Sequence, residues 1–335
     1  MTTQKSPRKR KGYWKTYERA DIKDYRKVWK ITKRIVQEEG IPFTLQEKGR
    51  NPNLPLWMYV GLAVLYVYFN DPFRETEKLL TLLTSKRLDH SNIIRWFSKL
   101  SAEYVDKLVY RVHLKIIAKS NDGDYLADSS GVTCDRYQET LFRGEILREL
   151  THWKLHIFGQ YIRDIGLVSI VSVTATHGDD HDGPVYRKHL IKAERVTEGK
   201  MCHADKAYFG KKNITKTEDA GLVANFVPKE MMYTDPLLKK AVFNYDNEAR
   251  KQNRGLVETP FGGLETEMGM KIRCRKPEHR DIVVCLMGLK HNIKTHMRSE
   301  VVWLVISFAP TSVKGKEIYS RIVCLFLWGY IILRI

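Results

Sequence analysis

Three acidic residues stand where metal-dependent chemistry would need them. Asp128 follows the apolar Tyr125-Leu126-Ala127 and precedes Ser129-Ser130-Gly131, while Asp205 follows Met201-Cys202-His203-Ala204 and precedes Lys206-Ala207-Tyr208. Each reads as a carboxylate at, or on the accessible stretch of, a strand end. Brought together by neighbouring strands, two such groups create a negative potential that is costly unless a cation fills it, and hard oxygen ligands suit Mg2+ or Mn2+. Glu258, in Arg254-Gly255-Leu256-Val257-Glu258, would supply a third ligand from a helix. Taken singly, each acid reads more readily as a turn carboxylate or a surface ion-pair partner. The stretch His177, Asp179, Asp180, His181 and Asp182, with Gly178 and Gly183 beside it, reads as a polar loop after a strand. Read as a metal cluster of its own, the stretch lacks the spacing of a helix-borne pair of ligands; read as a loop near the acids, it lets His181 or Asp182 assist them.

Such acids need elements to present them. From Tyr17 to about Lys119 the pattern is helical. Asp71 and Pro72 open a helix through Leu79, Leu80, Leu82 and Leu83, and a turn through Arg87 and Asp89 leads to Ser91, read as a second N-cap. In the segment that follows, Ile93, Trp96, Phe97 and Leu100 share one helical face, and Asn92, Arg95 and Lys99 share the opposite one. The pair has the outline of a helix-turn-helix whose second helix enters a major groove, and equally that of an amphipathic helix in a small bundle. After Asn121-Asp122-Gly123 the texture changes. Tyr125 to Ala127, Lys154 to Tyr161 and Leu167 to Thr176 are β-branched and aromatic runs that predict an antiparallel meander. A helix from about Pro184 to Val196, a strand Met201 to Ala204, a helix Lys211 to Ala220, a strand Leu222 to Val227 and a helix near Glu258 complete an α/β sheet with helices on its faces.

Six short motifs occur in order: Ala127-Asp128-Ser129-Ser130-Gly131; Trp153-Lys154-Leu155-His156; Ala175 to Asp182; His203-Ala204-Asp205-Lys206-Ala207-Tyr208; Phe226-Val227-Pro228-Lys229; and Arg254 through Val257, Glu258, Phe261, Gly262 and Leu264. In this order the chain resembles the DDE transposases of bacterial and archaeal insertion sequences, from about Arg74 to Asn292. The resemblance implies an RNase H-like mixed sheet with flanking helices, an insertion before the last catalytic helix, and an α-helical DNA-binding region ahead of it. It also implies that Asp128, Asp205 and Glu258 are the metal-binding triad for two Mg2+ or Mn2+ ions, which would serve in-line cleavage and transfer of DNA strands. Arg254, one helical turn before Glu258, would hold a DNA phosphate, with Lys154 and Lys206 as further contacts. Partners so implied are double-stranded DNA, as element terminal inverted repeats and target, and a second copy in a homodimer assembled on DNA; no small-molecule substrate is expected. The chain departs from the pattern in three places. The family commonly has a basic residue seven positions after the glutamate; here it is Glu265, with Lys271 or Arg273 as substitutes. Pro260, Gly262 and Gly263 weaken the helix that presents Glu258. The family's chain usually ends soon after a basic helix like Lys290-His291-Asn292, so the apolar segment after Val301 looks like an addition.

Charge agrees with a polyanionic partner. The 335 residues carry a net +18, with 17 Tyr and 7 Trp. Residues 1–34 hold 13 Lys and Arg against 3 Asp and Glu, and residues 271–298 hold 8 against 2, whereas residues 35–270 are balanced. The basic N-terminus reads equally as a solvated tail or a DNA-contacting arm. A hydrophobic content of 43% excludes disordered and collagenous classes. Five scattered cysteines with no CxxC pair fit a reducing, cytoplasmic and nucleoid-associated location. The apolar runs Leu54 to Phe69 and Ile322 to Leu333 are short for a membrane span and are expected to be buried helices. The expected organisation is a helical, basic DNA-binding region over 1–120, an RNase H-like catalytic domain over 121–298, and an apolar extension over 299–335.

Overall fold

A computed structural model describes residues 23–43, 52–142, 145–193, 200–230, 233–272, 274 and 276–307. Five helices come first: α1 (Tyr25–Glu39), α2 (Leu56–Phe69), α3 (Phe73–Thr84), α4 (His90–Phe97) and α5 (Ala102–Ile117). They are followed by β1 (Tyr125–Phe142), β2 (Glu145–Ile162), β3 (Leu167–His177), α6 (Asp182–Ala193), β4 (Met201–Ala204), α7 (Lys211–Asp219) and β5 (Val223–Phe226). The chain continues through α8 (Pro236–Phe243), α9 (Asn247–Met268), β6 (Lys271–Ile272), a 3-10 turn (Pro277–His279) and α10 (Arg280–Ser307).

The six strands form one mixed sheet in the order β3-β2-β1-β4-β5, with β6 alongside β1. The first three strands are antiparallel, and β4 and β5 run parallel to β1. Helices cover both faces, which is the RNase H-like arrangement. Strand alternation divides the core accordingly. Leu155, Ile157, Ile170 and Val173 pack with the N-terminal helices and α10. Tyr125, Ala127, Phe158 and Val171 point the other way, to Tyr186 and Leu190 of α6 and to Cys202 and Ala204. Because both faces are covered, β3 is buried without a break from Leu167 to Val173.

The free edge of β3 is closed by side chains. Asn292 of α10, fully buried, accepts from Ile170 N (2.8 Å) and donates to Ile170 O (2.7 Å) and Val109 O (3.1 Å). Asp106 of α5 accepts from Val173 N (2.8 Å), and His291 meets Val168 O (2.9 Å). These contacts answer backbone groups that the ladder with β2 leaves over. The N-terminal helices join the same core: α2 is buried along most of its length, and the Trp29 ring of α1 lies on its backbone at Gly61. A Cβ at Gly61 would sit 2.5 Å from that ring. Gly61→Ala is therefore expected to cost about 2 kcal/mol by forcing α1 outward, read as a lower urea midpoint with an unchanged m-value.

Several local expectations need correction. Asp89, not Ser91, caps α4: its carboxylate accepts from Ser91 N (2.8 Å) and from the Ser91 hydroxyl, so the helix starts one residue earlier than Ser91. Pro72, not Asp71, occupies the cap of α3, and its carbonyl takes Glu75 N (2.9 Å) and Thr76 N (3.1 Å). Helix α4 ends at Phe97, because Ser101 caps α5 through Tyr104 N (3.1 Å) and the chain must turn before it. Strands β1 and β2 run far past the predicted segments, to Phe142 and from Glu145, as a hairpin beyond the β4 pairing. Helix α9 is continuous through Pro260, since Phe261, Leu264 and Met268 bury one stripe and packing overrides weak propensity. Leu54 to Phe69 gives the expected buried helix, and among the described residues no helix is long and apolar enough to cross a membrane. Helix α10 passes through residues 298 and 299 without interruption. Ile322 to Leu333 and most of the basic N-terminal segment lie outside the described residues.

Candidate active site

The sheet brings two of the acids to one level. Ala127 of β1 pairs with Ala204 of the parallel β4, so Asp128 and Asp205, each the next residue, leave adjacent strands side by side. Asp128 is half-buried and its Oδ1 accepts from Ser129 N (2.8 Å). Asp205 lies just past the end of β4, exposed, with Oδ1 taking Ala207 N (2.8 Å) in a tight turn. Glu258 projects from α9 and is exposed.

The charges of the other acids reach Asp128. Burial pushes the Asp128 carboxyl up to about 6; the Ser129 amide opposes the rise, and the charges of Asp205, Asp182 and Glu258 add to it. Buried Tyr208 is held well above the usual phenol range, first by burial and then by Asp182 and Asp128. Its hydroxyl stays protonated among the acids.

Asp182, the first residue of α6, is the fourth acid of the group. Its Oδ1 accepts from Ser129 Oγ (3.0 Å) and lies 3.3 Å from both Lys154 Nζ and His156 Nδ1. The Lys154 ammonium also donates to Asp180 O (2.9 Å), so it braces the loop before α6 from β2. His156 is buried, and burial lowers its pKa to about 4; Nε2 meets Thr176 Oγ1 at 2.8 Å. His181 is exposed beside Asp182, and Lys206 is exposed beside Asp205. Arg254 is in α9 one turn before Glu258, but its side chain, like residue Arg273, lies outside the described residues. Sequence reasoning missed Ser129 and Tyr208, although both stand inside the motifs that flagged the acids.

The donor set is all hard oxygen and suits a divalent cation. Elsewhere, Glu77, Asp89 and His90 bring three potential ligand atoms close together. That second group belongs to the turn between α3 and α4: Glu77 accepts from His90 N (3.1 Å) and Asp89 caps α4, so structure accounts for it.

Helices α3 and α4 are joined by a turn that begins at Ser85, which has φ +58°. Ile93, Phe97 and Leu100 are buried as predicted, and Trp96 stacks on Tyr59 at 4.7 Å. Arg95 is exposed and Asn92 half-buried on the outer face. Lys99 falls past the helix end, its ammonium 4.2 Å from the Trp96 ring centre.

No protein-family model matches the chain, and no curated protein matches it. Among solved structures, the chain is similar to one described as a pre-cleavage Mos1 transpososome, at 10% sequence identity. The match covers 78% of this chain and 82% of that one, with a TM-score of 0.18. A likeness this loose transfers no residue from one site to the other.

Proposed function

We propose that the chain is a DNA transposase that binds the ends of its mobile element and cleaves and joins DNA strands at Asp128, Asp205 and Glu258. The observation that supports this reading is the Ala127–Ala204 pairing, which sets two carboxylates side by side at one end of the sheet, where burial and then the charges of Asp205, Asp182 and Glu258 oppose ionisation of Asp128. A chain of net +18 that concentrates acid at one sheet end is built to take up cations there and polyanions elsewhere. Asp128, Asp205 and Glu258 would hold two Mg2+ or Mn2+ ions, whose bound form supplies Lewis-acid charge at the scissile phosphate and a nucleophile of lowered pKa. Asp182, with His181 beside it, supports the group through Ser129 and His156. Arg254, Lys154 and Lys206 would meet DNA phosphates near the acids; Asn92, Arg95 and Lys99 would contact DNA from the helix-turn-helix. In this reading residues 1–120 bind the terminal inverted repeats, residues 121–298 carry catalysis, and two copies assemble on DNA.

A second reading, a catalytically inactive DNA-binding relative, is favoured by one observation: exposed Glu265 stands where the resemblance implies a basic residue. The two separate cleanly. DNA carrying the inverted repeats that flank the gene is incubated with the full chain and Mg2+ or Mn2+. The transposase reading expects end cleavage and joining to target DNA. Salt-sensitive binding with no cleavage in either metal would sink it in favour of the second reading.

A further inference from the structure

Arg280, the first residue of α10, is a buried cation without an acid. It is 8% exposed, and among the described residues its guanidinium makes no ion pair and no hydrogen bond. The group stands over the ring of half-buried Trp153, 4.7 Å from its centre. Asp281, the acid next to it in sequence, serves the ring instead: its Oδ1 accepts from Trp153 Nε1 (2.5 Å). An aromatic face offsets only part of what it costs to take a cation out of water, so a charge held this way is short of a partner.

The nitrogens of the group differ in access. Nε is sealed from solvent without a partner, whereas the terminal nitrogens, just as unbonded, are not sealed. A planar fork laid on a ring with its outer N–H groups open offers parallel donors to an oxyanion, the geometry in which phosphate is bound bidentately. The backbone that presents it is anchored. Buried His279 meets Ser98 Oγ through Nε2 (2.7 Å) and packs its ring on Phe97 at 5.2 Å, which ties the start of α10 to α4. The surroundings favour an anion, since residues 271–298 hold 8 Lys and Arg against Glu278 and Asp281 alone.

Position relative to the acids follows from the sheet. Trp153 pairs with Val132 of β1, four residues beyond Asp128. Four residues of strand span about 13 Å and return to the same face. Lys154, the next residue of β2, faces Asp182 on the opposite side. We infer that Arg280, braced on Trp153, is a binding site for a backbone phosphate of duplex DNA, away from the bond that reacts. The inference rests on the DNA-binding part of the reading above and adds a contact to it; it assigns no catalytic role to Arg280.

The test measures binding of a duplex of arbitrary sequence to the full chain without metal, across a salt series, together with the urea midpoint of each protein. Arg280→Met is expected to weaken binding about tenfold at low salt and to lower the slope of log affinity against log salt by about one. Arg280→Gln, equally neutral, is expected to do the same and serves if Arg280→Met does not fold. Arg280→Lys keeps the charge but not the fork, so it should keep the slope and lose less affinity. A residue that only packs on Trp153 would move the urea midpoint and leave affinity and slope alone, and that result overturns the assignment. So does a shift of the parent's midpoint by inorganic phosphate that Arg280→Met lacks, if DNA binding is the same in both, because the site then takes free phosphate. If the unsubstituted chain does not bind the duplex, the DNA-binding reading itself fails and takes this site with it.

Discussion

Asp128→Asn is expected to stabilise the metal-free protein at pH 8 by about 2 kcal/mol and, under the proposed transposase function, to abolish metal-dependent DNA cleavage. The two effects have one origin. Burial and the charges of Asp205, Asp182 and Glu258 raise the Asp128 carboxyl to about 6 in the folded chain. Between the ordinary carboxylate range and pH 6 the native state holds a proton that the unfolded chain has released. Stability from this group is present below that window and is lost as pH rises through about 6. A rise of roughly two units corresponds to about 3 kcal/mol, reduced here because the side chain is partly open to solvent. Asparagine removes the charge and with it the penalty. Urea midpoints of the two proteins should differ at pH 8 and draw together as pH falls below about 6. A variant less stable than the parent at pH 8 would show that the acid is satisfied rather than waiting for a cation. Added Mn2+ should raise the midpoint of the parent and leave that of the variant nearly unmoved.

Mild acid is expected to unfold the protein well before its carboxylates are all protonated. His113 of α5 and His189 of α6 are buried, with Nδ1 of His113 on Ser169 Oγ (3.0 Å) and Nε2 of His189 on Thr174 Oγ1 (2.8 Å). Burial lowers each to about 3; nearby Lys192 for His113, and His156 and Lys192 for His189, add to the effect. Here the sign is opposite to that of Asp128. Below the ordinary histidine range the unfolded chain takes up protons that the native state refuses, so stability falls as pH drops from about 6.5 toward about 3. At pH 5 the two together cost about 4 kcal/mol, comparable with much of a typical domain's total stability. Circular dichroism at 25 °C should show a cooperative loss of structure between pH 6 and pH 4. His113→Gln, which retains a partner for Ser169, should move that midpoint to lower pH. A stability that stays flat from pH 7 to pH 4.5 would contradict the assignment.

Much of this molecule could be read before its fold was seen. Strand β4 was predicted to the residue, and β5 within one residue at each end, because short apolar runs bounded by turn residues leave little choice of register. Asp128 and Asp205 were visible for the same reason: each is the first polar residue after such a run. Other features were not local enough to read. The extension of β1 past Cys134 is a polar, charged stretch that shows no buried face to a periodicity argument. Pro260 argued for a break in α9, and only the burial of Phe261, Leu264 and Met268 explains why there is none. The cap of α4 shifted from Ser91 to Asp89 because both residues can cap, and tertiary hydrogen bonding of His90 to Glu77 decides between them. The hydrogen bond between Asn225 and His203 joins residues 22 positions apart, a distance over which spacing carries no signal.

The closed edge of β3 bears on how copies of this chain can associate. A second copy seeking to continue the sheet there would have to pair with Ile170, Val173 and Val168, whose backbone groups are already held by Asn292, Asp106 and His291. Strand exchange along this border would first require α10 and α5 to peel away, exposing a fully buried asparagine. Assembly must therefore use side-chain surfaces or another border of the sheet. The same closure removes a template for uncontrolled stacking into fibres.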